Sequence, residues 1–540
     1  MKRWIGLLIA ATSAAGSAAF VPEHLWSWDT IQLALGLDHF DIAIHQPHPP
    51  GYLGPMAAAW AFHAFGLPAD RAMIAQSVLA AALAAASVFA LARRLGTVQD
   101  GVVAGLSFAI HPLTLYYAVS GETYPMEALA AVLLVWFGLS VRAGAGLRAL
   151  ALFFFVYGVS GGVRQNLPLF FLPWAVWRLA AGVRADRLGW KGAGVAAAAA
   201  LAGLLVWFVP LVALAGGPGL LFERFGTQFF RLFAAHYSPL MGASGSAVRH
   251  NLDVAWRFLV EALSVSGLAA IGTFVATRGR GLREGRLWAV WLAWLIPPFL
   301  WFTLLFVYKA GHLLFLVPVF AILAARAIRY GVSSRRMAAG LAAAVVLGQA
   351  ALFLAPPAGW TRTVGGRCWP AIEYEETLTR ETIAALNDLA AGRPESVLVV
   401  TRDARFDFRR AMYYLPEMRV LWLMDRESTG AARTGAEVCE ARAHQVRCST
   451  ADEIWPSAAW PPEARIEVGP EVRWIAWFAD PGTGFQRALE RAVPVRLLRH
   501  GRLGEVWLSE WGAARDREVR VGPYRFVRTG VSARPEAGIP

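Results

Sequence analysis

Residues 27–52 (SWDTIQLALGLDHFDIAIHQPHPPGY) carry Asp29, Asp38, Asp41, His45 and His48 directly after a hydrophobic N-terminal segment. Acidic groups beside hydrocarbon are costly unless they face water or a reacting group, so three carboxylates at this position mark a functional site. Asp29 follows Trp26 and Trp28, aromatic residues of the kind that settle at a membrane interface and fix the depth of a neighbouring carboxylate. A carboxylate so held can act as a general base, taking the proton of an acceptor hydroxyl while a leaving group departs from the other side of the reacting carbon. The structural alternative is plain: Asp-Thr ahead of an apolar run is also a helix N-cap pattern.

Other polar residues stand at the outer ends of apolar runs: Glu122 in SGETYPMEA, His48 in QPHPPGY and Arg164 in GGVRQN. Any single one is explained as an interfacial anchor. Their recurrence is explained less well. Arg164 interrupts an apolar run at a Gly-Gly pair, where a guanidinium can meet an anionic group arriving from the lipid side.

The elements that position these residues are membrane helices. Of 540 residues 56% are hydrophobic and 16% charged, and the mean hydropathy is +0.44; this is the composition of a polytopic α-helical membrane protein. A membrane-helix window gives about eleven candidate spans of roughly 17–25 residues: 4–20, 72–92, 101–119, 125–141, 147–163, 166–181, 193–215, 255–276, 287–306, 311–328 and 337–355. Counting every span puts Lys2/Arg3, Arg93/Arg94, Arg142 and Arg148, the basic stretches 178–191 and 278–286, and Arg326 to Arg336 on one side, which the positive-inside rule makes cytoplasmic. The 27–52 stretch, the turn at 120–122, Arg164, the long loop 216–254 and the 309–312 turn then lie on the outer side. Residues 53–66 are apolar but short and read as a helix lying at the interface. The first segment reads as an anchored helix, a cleaved signal peptide being the alternative. The net charge of +13 sits in Arg clusters between apolar runs without a recognition motif, which argues against nucleic acid as a partner.

After Pro356 and Pro357 the composition changes, dividing the chain into a transmembrane domain, 1–356, and an extracytoplasmic soluble α/β domain, 357–540. Residues 375–391 read as an amphipathic helix, and 396–401, 420–424, 474–478 and 505–508 as strands. All three cysteines, Cys368, Cys439 and Cys448, fall there, where an oxidising compartment permits pairing. Cys439 with Cys448 is the preferred pair, as a hairpin staple, with unpaired thiols as the alternative. Neither a CxxC zinc pattern nor a Gly-rich nucleotide fingerprint is present, which disfavours direct use of a nucleotide sugar.

An apolar span, an acidic first outer loop ending in His-Pro-Pro-Gly-Tyr, an interfacial helix, a span ending in Arg-Arg and then an outer Gly-Glu-Thr-Tyr turn together resemble the C-superfamily (GT-C) membrane glycosyltransferases. The likeness is to the dolichyl-phosphate-mannose protein mannosyltransferase group and its bacterial relatives, which include aminoarabinose transferases. It covers residues 1–356 in layout and is residue-specific around 26–52, 119–128, 160–174 and 308–319. The resemblance implies transfer of a hexose or pentose from a polyprenyl-phosphate donor to a lipid, glycan or protein acceptor, with inversion at the anomeric carbon, in a bacterial-type inner membrane. It implies that Asp29 is the base and that Glu122, the acidic residue of the second outer loop, orients the acceptor or the sugar. The departing lipid phosphate needs positive charge or donors at its oxygens; Arg164 is the first candidate, supported by His48 and by Lys309 and His312 in VYKAGHLLFLVP, with Asp38, Asp41 and Tyr52 completing the substrate-binding set that the resemblance implies.

Two departures matter. Several relatives have His-Lys-Pro-Pro where this chain has Pro47-His48-Pro49-Pro50, and a neutral imidazole is a weaker anion ligand than an ammonium. Most pair two adjacent acids in the first loop, whereas Thr30 follows Asp29 here, leaving Asp38 and Asp41 as its partners. No cofactor is implied; the alternative is that the three acids bind Mg²⁺ or Mn²⁺. A transporter or flippase is the competing function, since intramembrane charges and broken helices suit one, but the polar residues gather on one face and no paired halves are visible. A non-catalytic scaffold would predict that Asp29 and Glu122 are replaceable without effect.

Overall fold

The computed structural model describes residues 2–142, 144–185, 188–234, 237–241, 243, 245–276, 287–305, 309–363, 366–402, 405–425, 435–449, 460–511 and 518–529. By packing, the chain forms two units, one of Met1–Pro22 with Pro49–Glu373, the other of Glu23–His48 with Tyr374–Pro540. The acidic stretch of the sequence thus builds with the C-terminal unit rather than with the apolar helices on either side of it.

The first unit is helical. In chain order it contains α1 (Lys2–Ala18), α3 (Leu53–Ala64), α4 (Ala69–Leu95), α5 (Val98–Ala109), α6 (Pro112–Val119), α7 (Tyr124–Gly138), α8 (Gly146–Val163), α9 (Leu167–Phe170), α10 (Leu172–Ala185), α11 (Gly189–Leu214) and α12 (Pro218–Gly226), followed by α13 (Ser246–Ala276), α14 (Leu287–Leu304), α15 (Val317–Gly331), α16 (Arg335–Leu354) and α17 (Ala358–Thr363). Every expected span falls largely on helix. Among the described residues six helices are long and apolar enough to cross a membrane, seven if α5 and α6 count as one bent span, and three shorter apolar helices accompany them.

The breaks have local causes. Pro112, which lacks an N–H and fixes φ, starts α6 behind the N-cap His111, and the axis turns 51° there. The α4–α5 turn is fixed by a capping box, in which Thr97 Oγ1 accepts from the Asp100 N–H at 3.2 Å and Asp100 Oδ2 accepts from the Thr97 N–H at 2.7 Å. Within α13, Ser264 has φ 46° and interrupts the helix. The stretch expected as a long outer loop, 216–254, is itself largely helical: α12, a π-helical turn Thr227–Ala234, and the start of α13. The core of this unit is aromatic, with Phe108, Phe153, Phe171, Trp174, Trp294 and Phe315 buried, while α11 leaves Leu201, Leu205, Val206 and Val209 on its surface, as a lipid-facing helix does.

The second unit begins with α2 (Trp28–Asp38), and α18 (Trp369–Ala390) carries the chain into it. Then come β1 (Val397–Arg402), α19 (Phe408–Tyr414), β2 (Arg419–Asp425), β3 (Ala436–Arg442), β4 (Gln445–Cys448), β5 (Ala464–Val468), β6 (Trp474–Ala479), α20 (Gly484–Ala492), β7 (Arg496–His500), β8 (Gly504–Glu510), β9 (Glu518–Val521) and β10 (Tyr524–Arg528). Seven strands form one sheet in the order β4-β3-β2-β1-β6-β8-β7, and β5-β10-β9 form a second. Central β1 runs parallel to both neighbours and is buried along its whole length, which is why its sequence, VLVVTR, does not alternate. Cys439 and Cys448 face each other across β3 and β4 and form the expected disulfide; the Cys368 thiol is free and buried.

Candidate active site

In the helical unit, five residues singled out by the sequence come together. Glu122 lies on the turn between α6 and α7, which α4 holds from behind: Ser77 Oγ is 2.9 Å from the Tyr117 carbonyl and 2.8 Å from the Glu122 carbonyl. Arg164 ends α8 with its backbone extended, φ −157°. Lys309 and His312 lie on a 3₁₀ turn, Ala310–Leu316, and its N-cap, and Tyr52 caps the start of α3. Lys309 Nζ is 3.3 Å from Glu122 Oε1. The Arg164 guanidinium is 3.2 Å from His312 Nδ1, donates to Thr123 Oγ1 at 3.4 Å and stands 3.6 Å from the Glu127 carboxylate. It also lies over the rings of Tyr52, at 5.2 Å, and Tyr124, at 4.8 Å.

This arrangement sets the tautomer of His312. Guanidinium only donates, so in this contact Nδ1 is the accepting nitrogen and the proton is assigned to Nε2. Two cations, each facing a carboxylate, thus stand with a neutral imidazole and the Tyr52 and Tyr124 rings, a cluster rich in hydrogen-bond donors. Gly311 makes the approach feasible, because a Cβ there would fall 2.2 Å from the Tyr124 ring. Gly311→Ala is expected to displace that ring and destabilise the protein by about 1–3 kcal/mol, the usual range for overpacking, measured by thermal unfolding in detergent.

Asp29, Asp38, Asp41 and His48 belong to the C-terminal unit. Asp29 is half-buried in the first turn of α2, where a carboxylate suits the helix dipole. The N-cap position falls to Ser27, so Asp29 is not the cap. Asp38 is exposed at the end of α2. Asp41 shapes its own turn: Oδ1 accepts from the Ala43 N–H at 2.8 Å, and its backbone pairs with Gln46 as an isolated bridge. His48 stands between cis peptide bonds at Gln46–Pro47 and Pro49–Pro50. Gly36 lets α2 touch this hairpin, since a Cβ there would fall 2.7 Å from the Pro47 nitrogen.

Among the described residues, the group whose potential metal-ligand atoms lie within 4.8 Å of one another is Glu23, His24 and Glu376, not the three aspartates. Within it, the His24 backbone N–H donates to Glu376 Oε2 and its ring nitrogen meets Oε1, both at 2.8 Å. Burial pushes the Glu376 carboxyl up, and these hydrogen bonds outweigh it, holding it below its ordinary value.

Sequence reasoning passed over Glu127, Thr123 and Tyr124. Glu127 left a signal, being the single charged side chain in α7, and it is 1% exposed. A second buried ion pair in this unit, Arg367 with Glu261 at 3.3 Å, was equally unmarked.

No protein-family model matches the sequence, and no curated protein matches it either. Solved structures do match. ArnT from Cupriavidus metallidurans in the apo state is similar over 93% of this chain and 97% of its own, with TM-score 0.57 and 15% identity. The chain has the ArnT fold. The same enzyme bound to undecaprenyl phosphate is similar over 78% of this chain and 93% of its own, with TM-score 0.53 and 14% identity. A likeness to the Archaeoglobus fulgidus oligosaccharyltransferase complex with Zn and sulfate spans 76% and 61%, with TM-score 0.44 and 13% identity. The resemblance to GT-C glycosyltransferases seen in the sequence is thus met by an ArnT fold over 93% of the chain.

Proposed function

We propose that this protein is an integral-membrane glycosyltransferase that moves a sugar from a polyprenyl-phosphate carrier to an extracytoplasmic lipid, glycan or protein acceptor. The observation that carries the reading is the ArnT fold, together with the fact that ArnT itself binds undecaprenyl phosphate. In the reaction the acceptor oxygen attacks the anomeric carbon, its proton passes to Asp29, and the carbon–oxygen bond to the phosphate breaks, the polyprenyl phosphate leaving with the electron pair. Arg164, Lys309 and the Nε2–H of His312 are assigned to the phosphate, whose growing charge they offset; Glu122 and Tyr52 orient the sugar. His48, Asp38 and Asp41 are assigned to shaping the substrate loop. The N-terminus is cytoplasmic, residues 1–356 hold the donor, and residues 357–540 lie outside an inner membrane of bacterial type and shape the acceptor side. Side-chain cations in place of a metal make transfer insensitive to EDTA; a requirement for Mg²⁺ or Mn²⁺ would reverse that assignment.

The test is reconstitution of the full chain in proteoliposomes with undecaprenyl-phosphate carrying a labelled sugar. Label moving to an acceptor with release of undecaprenyl phosphate is the expected result. Labelled donor crossing the bilayer intact, with no transfer, would replace the enzyme by a flippase.

A further inference from the structure

The segment 23–48 is bonded within the C-terminal unit largely through its main chain, and two buried arginines of α19 hold two of its carbonyls. Arg410, 3% exposed, donates through Nη2 to the Trp26 carbonyl at 2.7 Å and through Nη1 to Glu375 Oε2 at 2.9 Å and Thr379 Oγ1 at 3.1 Å. Arg409, fully buried, donates to the Ile44 carbonyl and lies 5.8 Å over the Trp28 ring. Asp407 caps α19 by accepting from the Arg410 N–H at 2.9 Å, which fixes the stem of the fork. Around them the Leu25 N–H donates to the Tyr414 hydroxyl, Gln46 Nε2 donates to the His444 carbonyl at 3.1 Å, and Trp28 packs edge-on against Trp422, which stacks on Phe408.

The anchored carbonyls bracket α2. Trp26 lies just before the helix that carries Asp29, and Ile44 lies in the hairpin that returns against Gly36. A planar guanidinium that is hydrogen-bonded at both ends fixes direction as well as distance, which a single ammonium does not. A buried cation aimed at a main-chain oxygen also ties the position of the loop to the fold of α18 and α19, whatever side chains the loop bears.

We propose that Arg409 and Arg410 are positioning residues for the transfer reaction: they set where α2 presents Asp29, so that the C-terminal unit controls the catalytic loop as well as the acceptor. This inference rests on Asp29 acting as the base. A displacement of the reacting group by about 1 Å costs on the order of 10²-fold in rate, and the loss appears in kcat because the donor phosphate is bound elsewhere.

The experiment uses the full-length protein in detergent or nanodiscs, with Arg410→Met and Arg410→Lys. Hydrogen exchange of residues 23–48 reads the clamp without reference to activity, and kcat and KM for the lipid donor read its consequence. Expected are faster exchange in 23–48 with Arg410→Met, a fall in kcat of about 10²-fold, KM within about twofold, and partial recovery of both readouts with Arg410→Lys. The Cys439–Cys448 disulfide, read by mass under non-reducing conditions, reports that the unit has folded; if Arg410→Met lacks it, Glu375→Gln, which removes the carboxylate steadying the same guanidinium, is read instead. Unchanged exchange overturns the clamp, and faster exchange with unchanged kcat overturns the positioning role. If Asp29→Asn is itself fully active, the base assignment has failed, while the exchange data still decide whether the arginines hold the loop.

Discussion

Asp29→Asn is expected to lower kcat for sugar transfer by about 10²–10⁴-fold, the range for loss of a positioned general base, with donor affinity within about twofold of wild type. The amide has nearly the shape of the carboxylate, and the first-turn position of α2 tolerates it, at the cost of a favourable helix-dipole contact of about 0.3–1 kcal/mol. Expression and the Cys439–Cys448 disulfide should therefore be unchanged. The measurement is single-turnover transfer with saturating donor, so that chemistry is separated from product release. Asp38→Asn and Asp41→Asn should both lower activity far less than Asp29→Asn, because they shape the loop rather than meet the reacting hydroxyl. Asp38 is exposed at the end of α2, whereas Asp41 accepts from the Ala43 N–H, so Asp41→Asn should loosen the hairpin more. A full rate in the Asp29→Asn variant would sink the proposed mechanism.

Hydropathy made the helical elements legible because each apolar run had to be satisfied as helix, and the structure bends or splits these runs where Pro112, the residues around Phe171 and Ser264 interrupt them. It did not fix how many helices cross, since Tyr124–Gly138 and Val290–Leu304 are apolar but short. Glu122 and Arg164 were legible because polar groups at the ends of apolar runs are conspicuous, whereas Lys309, His312 and Tyr52 followed from the likeness to the GT-C layout. Glu127 was not found because its role is set by a partner in another helix, and periodicity carries no information about pairing across elements. The same limit hid the placement of residues 23–48. Their contacts with Arg409, Arg410 and Glu376 span most of the chain, and buried arginines in FRRAMYY look in sequence like an ordinary charged helix face.

Arg164→Ala is expected to reduce transfer by about 10²–10³-fold, as for loss of one preorganised donor to a developing oxyanion, but that variant alone is ambiguous. Arg164 stands 3.6 Å from Glu127, whose side chain is 1% exposed, and removing the cation leaves a buried carboxylate without it. Breaking such a pair costs about 3–5 kcal/mol, enough to lower the amount of folded protein by itself. Arg164→Ala combined with Glu127→Gln separates the two effects, because the double variant has neither charge to bury. It should recover most of the thermal stability lost in Arg164→Ala and none of the transfer. Arg164→Lys keeps the charge but loses the fork that reaches His312 and Thr123 together. It should fold as wild type, bind the lipid phosphate several-fold more weakly, and transfer at an intermediate rate. Recovery of transfer in the double variant would mean that Arg164 serves only to neutralise Glu127, and the phosphate would then have to be assigned to Lys309, whose partner Glu122 lies 3.3 Å away.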